Sequence, residues 1–299
     1  MSLLVVGSVA LDTVQTPFGK RDEMLGGSAV YCALAACHFT DVKLVGVVGD
    51  DFPNDATELL RQRNIDLSGL ETRPGKTFRW SGVYADDMND RDTLYTALNV
   101  FEAFNPTIPE DARTAEYVFL GNISPKLQLN VLEQMGKPVF VAMDTMNFWI
   151  DSARDELLEV LSKVNAVIIN DAEAKQLSGS TNVVQAARNI QQTGCSTVLI
   201  KKGEHGCFQV CGEECFIAPA YPLEKVLDPT GAGDTFAGGF MGHLARARGT
   251  DSRTLREAVV YGSVMASFVV EQFGVDNLLQ LTEAMIRQRY DEFRRLVSF

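Results

Sequence analysis

The stretch VLDPTGAGDTFAGGF, from Val226 to Phe240, restricts what this chain can fold into more than any other. Gly231, Ala232 and Gly233 stand between Asp228 and Asp234, and an apolar run rich in small residues follows, so the pattern predicts a tight turn opening a helix. Without bulky side chains the backbone N–H groups of such a turn can approach an anion closely, and the positive end of the helix dipole faces the same point. A carboxylate is out of place there unless it has a task. Taking a proton from a hydroxyl that attacks a phosphate is such a task. The plain alternative is an aspartate that caps the helix and glycines that pack it.

The remainder alternates short apolar runs with helical patterns, which predicts a doubly wound, mostly parallel α/β sheet. Leu3 to Val6 reads as a buried strand ended by Gly7, and Asp12 follows at the edge where ligands of such sheets bind. Gly26 and Gly27 open the small-residue helix SAVYCALAACHF, a turn against which a ligand can lie. Further strands are expected at Val42 to Gly49, Tyr117 to Leu120, Val139 to Met143, Ala166 to Ile169 and Thr197 to Lys201. Helices are expected at Asn54 to Asn64, Leu127 to Met135, Asp155 to Ser162, Tyr261 to Phe273 and, amphipathic, Glu283 to Arg295. Asp144 and Asn147 lie just past a strand end. Asn170 and Glu173 share the first turn of a helix, where the ordinary reading is a capping box. Ser263 belongs to a run of small residues that would admit a flat ring, with helix packing as the alternative.

The signature resembles that of the ribokinase-like (PfkB) carbohydrate kinase family, Asp-Thr-x-Gly-Ala-Gly-Asp. Asp228, Thr230, Gly231, Ala232, Gly233, Asp234 and Phe236 match it, and Pro229 stands where Thr is usual. The resemblance implies Asp234 as catalytic base and the Gly231 to Gly233 amides as the anion hole for the transferred phosphoryl group. It implies Asp12, Gly26 and Gly27 as substrate contacts, with Tyr31 standing where an Asn is usual. It also implies that Asn170 and Glu173 support ATP and Mg²⁺, Glu173 through water, which suits an ion that keeps most of its waters. Lys202, Gly203 and Gly206 then border the nucleotide with Thr230 and Ser263, and a monovalent cation such as K⁺ sits near Asp228. The resemblance covers nearly the whole chain in the family's order, as one domain over residues 1–299. A small β-sheet lid is expected from about 12–25 and 76–101, where strand-like pieces flank the polar run DDMNDRD.

Composition narrows the partners. A net charge of −12 and a pI near 4.8 argue against nucleic acid or an anionic membrane surface, both of which want a basic footprint. No run approaches the roughly 18 apolar residues of a membrane span, and MSLLVVGSVALD lacks a basic region, so a cytoplasmic protein is expected. Cys207, Cys211 and Cys215 are evenly spaced, a poor match to zinc or iron–sulfur ligand sets, and read as reduced thiols along a hairpin. Gly75-Lys76-Thr77 ends like a P-loop, but Leu70 stands where that motif needs a glycine and a strand pattern follows.

The expected activity is transfer of the γ-phosphoryl of ATP to a hydroxyl of a small sugar. Within the class a nucleoside is the alternative, its base stacked by Tyr31, Phe18, Phe78 or Trp80, and a phosphosugar could be held by Arg79 or Lys20. Outside the class, the same cleft could serve a non-catalytic sensor. Pairing of two copies through the lid is a further expectation of the resemblance.

Overall fold

The computed structural model describes residues 1–88 and 91–298; Asn89 and Asp90 of the expected lid, and Phe299, lie outside the described residues. In chain order the strands are β1 (Ser2–Val6), β2 (Ala10–Thr16), β3 (Gly19–Gly26), β4 (Asp41–Gly49), β5 (Ile65–Arg73), β6 (Phe78–Tyr84) and β7 (Arg91–Ala97), followed by β8 (Tyr117–Leu120), β9 (Phe140–Met143), β10 (Ala166–Asn170), β11 (Thr197–Lys201), β12 (Cys207–Cys211) and β13 (Glu214–Ala218).

Among the described residues nine of them form one sheet in the order β13-β12-β11-β10-β9-β8-β1-β4-β5. Its pairs are parallel from β5 to β11, and the hairpin carrying Cys207, Cys211 and Cys215 closes the other edge antiparallel. The continuous apolar strands are the consequence of helices on both faces. Leu3 and Val5 enter one core, and Leu4 and Val6 the other. Because β1 lies inside the sheet with β4 and β8 at its sides, the chain reverses direction of travel there, and the carboxyl ends of β9, β10 and β11 open on the same edge.

The other four strands form a small mixed sheet, β3-β2-β6-β7, in which β2 and β6 run parallel and the outer pairs antiparallel. The Gly75-Lys76-Thr77 segment joins the two sheets. Asp51 accepts from the Thr77 N–H at 2.7 Å and from its hydroxyl at 2.8 Å, and a strand follows, as the missing glycine predicts.

The helix Val183–Gln191 was not expected, and two further elements differ from expectation. Strand β5 was hidden because it is an edge strand with mixed exposure and has no apolar run to betray it. The helix expected from Tyr261 spans Ser252–Val269, started by Asp251, whose carboxylate accepts from the N–H groups of Arg253 and Thr254. It packs on the helix Ala232–Ala247 so closely that a Cβ on Gly239 would meet the Tyr261 carbonyl oxygen at 2.8 Å. No helix among the described residues is long and apolar enough to cross a membrane.

Candidate active site

Gly231 caps the helix Ala232–Ala247 with φ +74°, and a Cβ there would lie 2.4 Å from the Tyr31 ring. Only glycine combines that left-handed backbone with that close approach. Asp228 sets the bend. One of its carboxylate oxygens accepts the Thr230 N–H at 2.9 Å, the other the Gly274 N–H at 3.0 Å, and the side chain is fully buried. The Ala232 N–H is bent back onto the Pro229 carbonyl at 3.2 Å, which removes one of the three amides expected to face an anion.

Asp234, in the first turn of that helix, stands among groups brought from three strand ends. Asp144 follows β9, Glu173 follows β10, and Lys201 closes β11. The capping box forms, Glu173 N–H to Asn170 Oδ1 and Asn170 N–H to Glu173 Oε2, both at 2.8 Å. Lys201 Nζ lies 2.7 Å from where a Cβ of Gly233 would be, so the second glycine of the turn makes room for an ammonium.

The charges do not balance. Burial pushes Asp234 up to about 7, Asp144 adding to it and Lys201 opposing. Burial likewise takes Glu173 to about 7, again with Asp144 adding. Asp144 is raised by burial against the pull of Lys201. Burial works to lower Lys201, but Asp144, Glu173 and Asp234 together hold it above its usual value. Three carboxyls around one ammonium favour an added cation. Mg²⁺ keeps most of its waters and takes phosphate ligands, which suits carboxyls that reach it through water.

Asp12 stands beside this cluster, 5% exposed, raised to about 7 by burial although the Gly27 N–H bonds its carboxylate. Gly26 must lack a side chain because a Cβ would lie 2.0 Å from Asp12 Oδ2. The register of β2 and β6 sets Asp12 next to Trp80, whose indole lies along the strand so that a Cβ on Gly82 would meet it at 2.3 Å.

These observations place Asp12, Gly26, Gly27, Asn170, Glu173, Thr230, Gly231, Gly233 and Asp234 around one edge of the sheet. The pattern of the pfkB family carbohydrate kinases matches residues 7–281. The chain belongs to that family.

A cytidine kinase of Thermococcus kodakarensis is 34% identical over 92% of this chain and 98% of its own length. A nucleoside kinase of Methanocaldococcus jannaschii is 24% identical over 92% of this chain and 88% of its own. A solved structure of a Methanocaldococcus jannaschii nucleoside kinase, 23% identical, covers 97% of this chain and 98% of its own at TM-score 0.78, a likeness of fold alone. The nucleoside kinase of Burkholderia thailandensis with ADP and inosine covers 97% and 95% at TM-score 0.81, and its 18% identity speaks for the fold alone. As a PfkB kinase the chain has the ribokinase-like α/β fold and is a phosphotransferase of the kind that uses ATP and Mg²⁺.

Several expected residues stand differently in this kinase. Tyr31 is 1% exposed with its ring beneath Gly231, so it holds up the turn and cannot stack a base; the helix Ser28–Ala36 turns that side chain inward. Phe78 stacks on Phe101 at 5.2 Å, and Phe18 lies under Lys225. Arg79 is paired with Glu23 and Asp51 at 2.7 and 2.8 Å, and Lys20 with Asp22, which engages both proposed phosphosugar ligands. Ser263 turns its hydroxyl back to the Val259 carbonyl at 3.1 Å. Lys202 contributes its backbone N–H to the Gly206 carbonyl in a tight turn, where a Cβ on Gly206 would clash with the Ala218 carbonyl oxygen at 2.1 Å.

The residue that sequence reading passed over is Lys201. The available signal was positional: a lysine as last residue of an otherwise apolar buried strand, paired in register with Asn170.

Proposed function

We propose that this kinase phosphorylates a nucleoside, and that Asp234 is its general base. The observation that carries the acceptor class is the pairing of a buried carboxylate, Asp12, with an indole face, Trp80, on adjacent strands of the small sheet. A carboxylate takes hydroxyl donors of a sugar, and the indole takes the base where that base displaces the Arg91 guanidinium, 5.6 Å from the ring centroid. The 34% identity to a cytidine kinase along its whole length supports the same reading.

In the reaction a hydroxyl of the ribose gives its proton to an Asp234 carboxylate oxygen while its own oxygen bonds the γ-phosphorus of ATP. The bond from that phosphorus to the β-bridging oxygen breaks, and ADP leaves with the electron pair. Asp234 can hold the proton because its burial has already raised its affinity for one. Lys201 and the Gly231 and Gly233 amides take the charge on the phosphoryl oxygens. Glu173, steered by Asn170, would receive waters of the metal ion. Mg²⁺, when bound with ATP, adds positive charge at the phosphate oxygens. The small sheet, joined to the signature turn through Tyr84 and Thr230, would exclude water from the site.

An ADP-release assay over nucleosides and free sugars tests the acceptor. Cytidine or another nucleoside should exceed ribose in kcat/KM by about ten- to a hundredfold, the range that stacking of one base supplies. Ribose or fructose at parity with the best nucleoside would return the acceptor to a free sugar. Leu94 and Tyr95, exposed by 59% and 46% on β7, are the apolar surface through which two copies would pair. Small-angle scattering should then report a dimer, and a monomer dismisses that pairing.

A further inference from the structure

A groove of about 550 Å³, within the range of small-molecule sites, opens where the end of the helix Ala232–Ala247 meets the helices Ser252–Val269 and Glu283–Val297. Arg246, in its wall, stands twelve residues beyond Asp234 on one helix, about 18 Å along the axis at 1.5 Å per residue. The groove is therefore separate from the carboxyl cluster.

Rings and charges of both signs line it. His243 stacks on Tyr261 at 4.5 Å, and Tyr261 on Tyr290 at 4.3 Å with planes 9° apart. Tyr290 ends this column, half-buried in the groove wall. Arg246 is set over the rings of Phe39 at 4.7 Å and Tyr261 at 5.0 Å, and its Nη2 lies 3.3 Å from His243 Nδ1. Burial lowers His243 to about 4, so the imidazole is neutral near pH 7. Among the described residues Arg246, Arg287 and Arg294 pair with no carboxylate, and Glu283 and Asp291, which share the groove, pair with no cation. In a chain of net charge −12, a guanidinium fixed on two rings and left without an acid is a prepared anion contact.

We propose that this groove is a second nucleotide site, in which the phosphates bond Arg246, Arg287 and Arg294, the base lies on Tyr290, and ribose hydroxyls donate to Glu283 or Asp291. Guanidinium forks suit phosphate oxygens, carboxylates take hydroxyl donors, and a ring takes any base by stacking. An inorganic anion would leave the ring and the carboxylates unused. A free sugar would leave the arginines unused. The reaction itself supplies a solute with all three parts, because ADP is released at each turnover whichever acceptor is phosphorylated.

Calorimetric titration of the full chain with ADP tests this. The wild type should take up one equivalent beyond that of the active site. The double variant Arg287→Gln/Arg294→Gln, changed at two exposed positions, should lose that equivalent while its melting temperature, and its initial rate and KM for ATP without added ADP, stay those of the wild type. Arg246→Gln should weaken the second binding by about tenfold, the scale of one hydrogen bond to a charged group. Tyr290→Leu should weaken it by about tenfold, the low end for one base on one ring, and Tyr290→Phe should keep it. A single equivalent in the wild type overturns the proposal. So does a second equivalent that survives in Arg287→Gln/Arg294→Gln, which would place it elsewhere. Inorganic phosphate that competes for the groove as well as ADP does also overturns it, since the ring would then have no part. The probe is a product of the kinase with any acceptor, so these outcomes stand apart from the nucleoside reading.

Discussion

Replacing Asp234 with Asn should lower turnover by about ten-thousandfold, the upper range for a general base, while ATP still binds. The amide keeps the shape of the carboxyl and cannot accept the proton. ADP release under saturating substrates measures the first effect, and calorimetric titration with ATP the second. Turnover within tenfold of wild type would place the base elsewhere. A base works deprotonated, and Asp234 is raised to about 7, so with Asp234 as the base kcat/KM should fall as pH drops below about 7. The same shift has a stability consequence. A carboxyl whose folded pKa exceeds its unfolded value keeps a proton in the folded chain that the unfolded chain has lost. Folding therefore weakens as pH rises from about 4 to 7, through the window set by Asp12, Glu173 and Asp234. His243, lowered to about 4 by burial, and His38, also lowered by burial, act in the opposite sense over part of that window. Asp234→Asn should accordingly melt at a higher temperature than wild type at pH 7.5, by on the order of 1 kcal/mol, and lose that advantage near pH 4. An inactive variant that is also more stable is the mark of a charge kept for function.

What the sequence made legible here is what is local in the chain. The GAGD turn, the Asn170–Glu173 box and the Gly26-Gly27 pair each lie within a few residues, so turn and cap chemistry suffice to read them. Lys201 becomes meaningful only when β11 is set beside β10. Tyr31 was misread for a different reason. All nine residues of the helix Ser28–Ala36 are buried, so no polar face marks which way position 31 points. Ala232 failed at finer grain, since no pattern tells whether an amide at a helix start faces outward or closes the turn before it. Substrate contacts are thus harder to read than the catalytic turn: they depend on strand register, which the apolar pattern fixes only where one face of a strand is solvent.

Lys201→Met should reduce turnover by about a thousandfold and displace the pH profile with it. The ammonium has two effects that the variant removes together. It lies against Gly233 at the edge of the turn, where it can bond a phosphoryl oxygen, and it draws down the pKa of Asp144, Glu173 and Asp234. Without it Asp234 is protonated at neutral pH, so the acid limb should shift above pH 7 and part of the lost activity should return in alkaline buffer. That partial recovery identifies the electrostatic share; the remainder is the lost phosphate contact. Arginine is a poor replacement, because Gly233 leaves room for a compact ammonium and a guanidinium is wider. Lys201→Arg should therefore stay well below wild type even though the charge is kept. If Lys201→Met kept its acid limb at the wild-type pH and lost activity only through a higher KM for the acceptor, Lys201 would act on substrate binding.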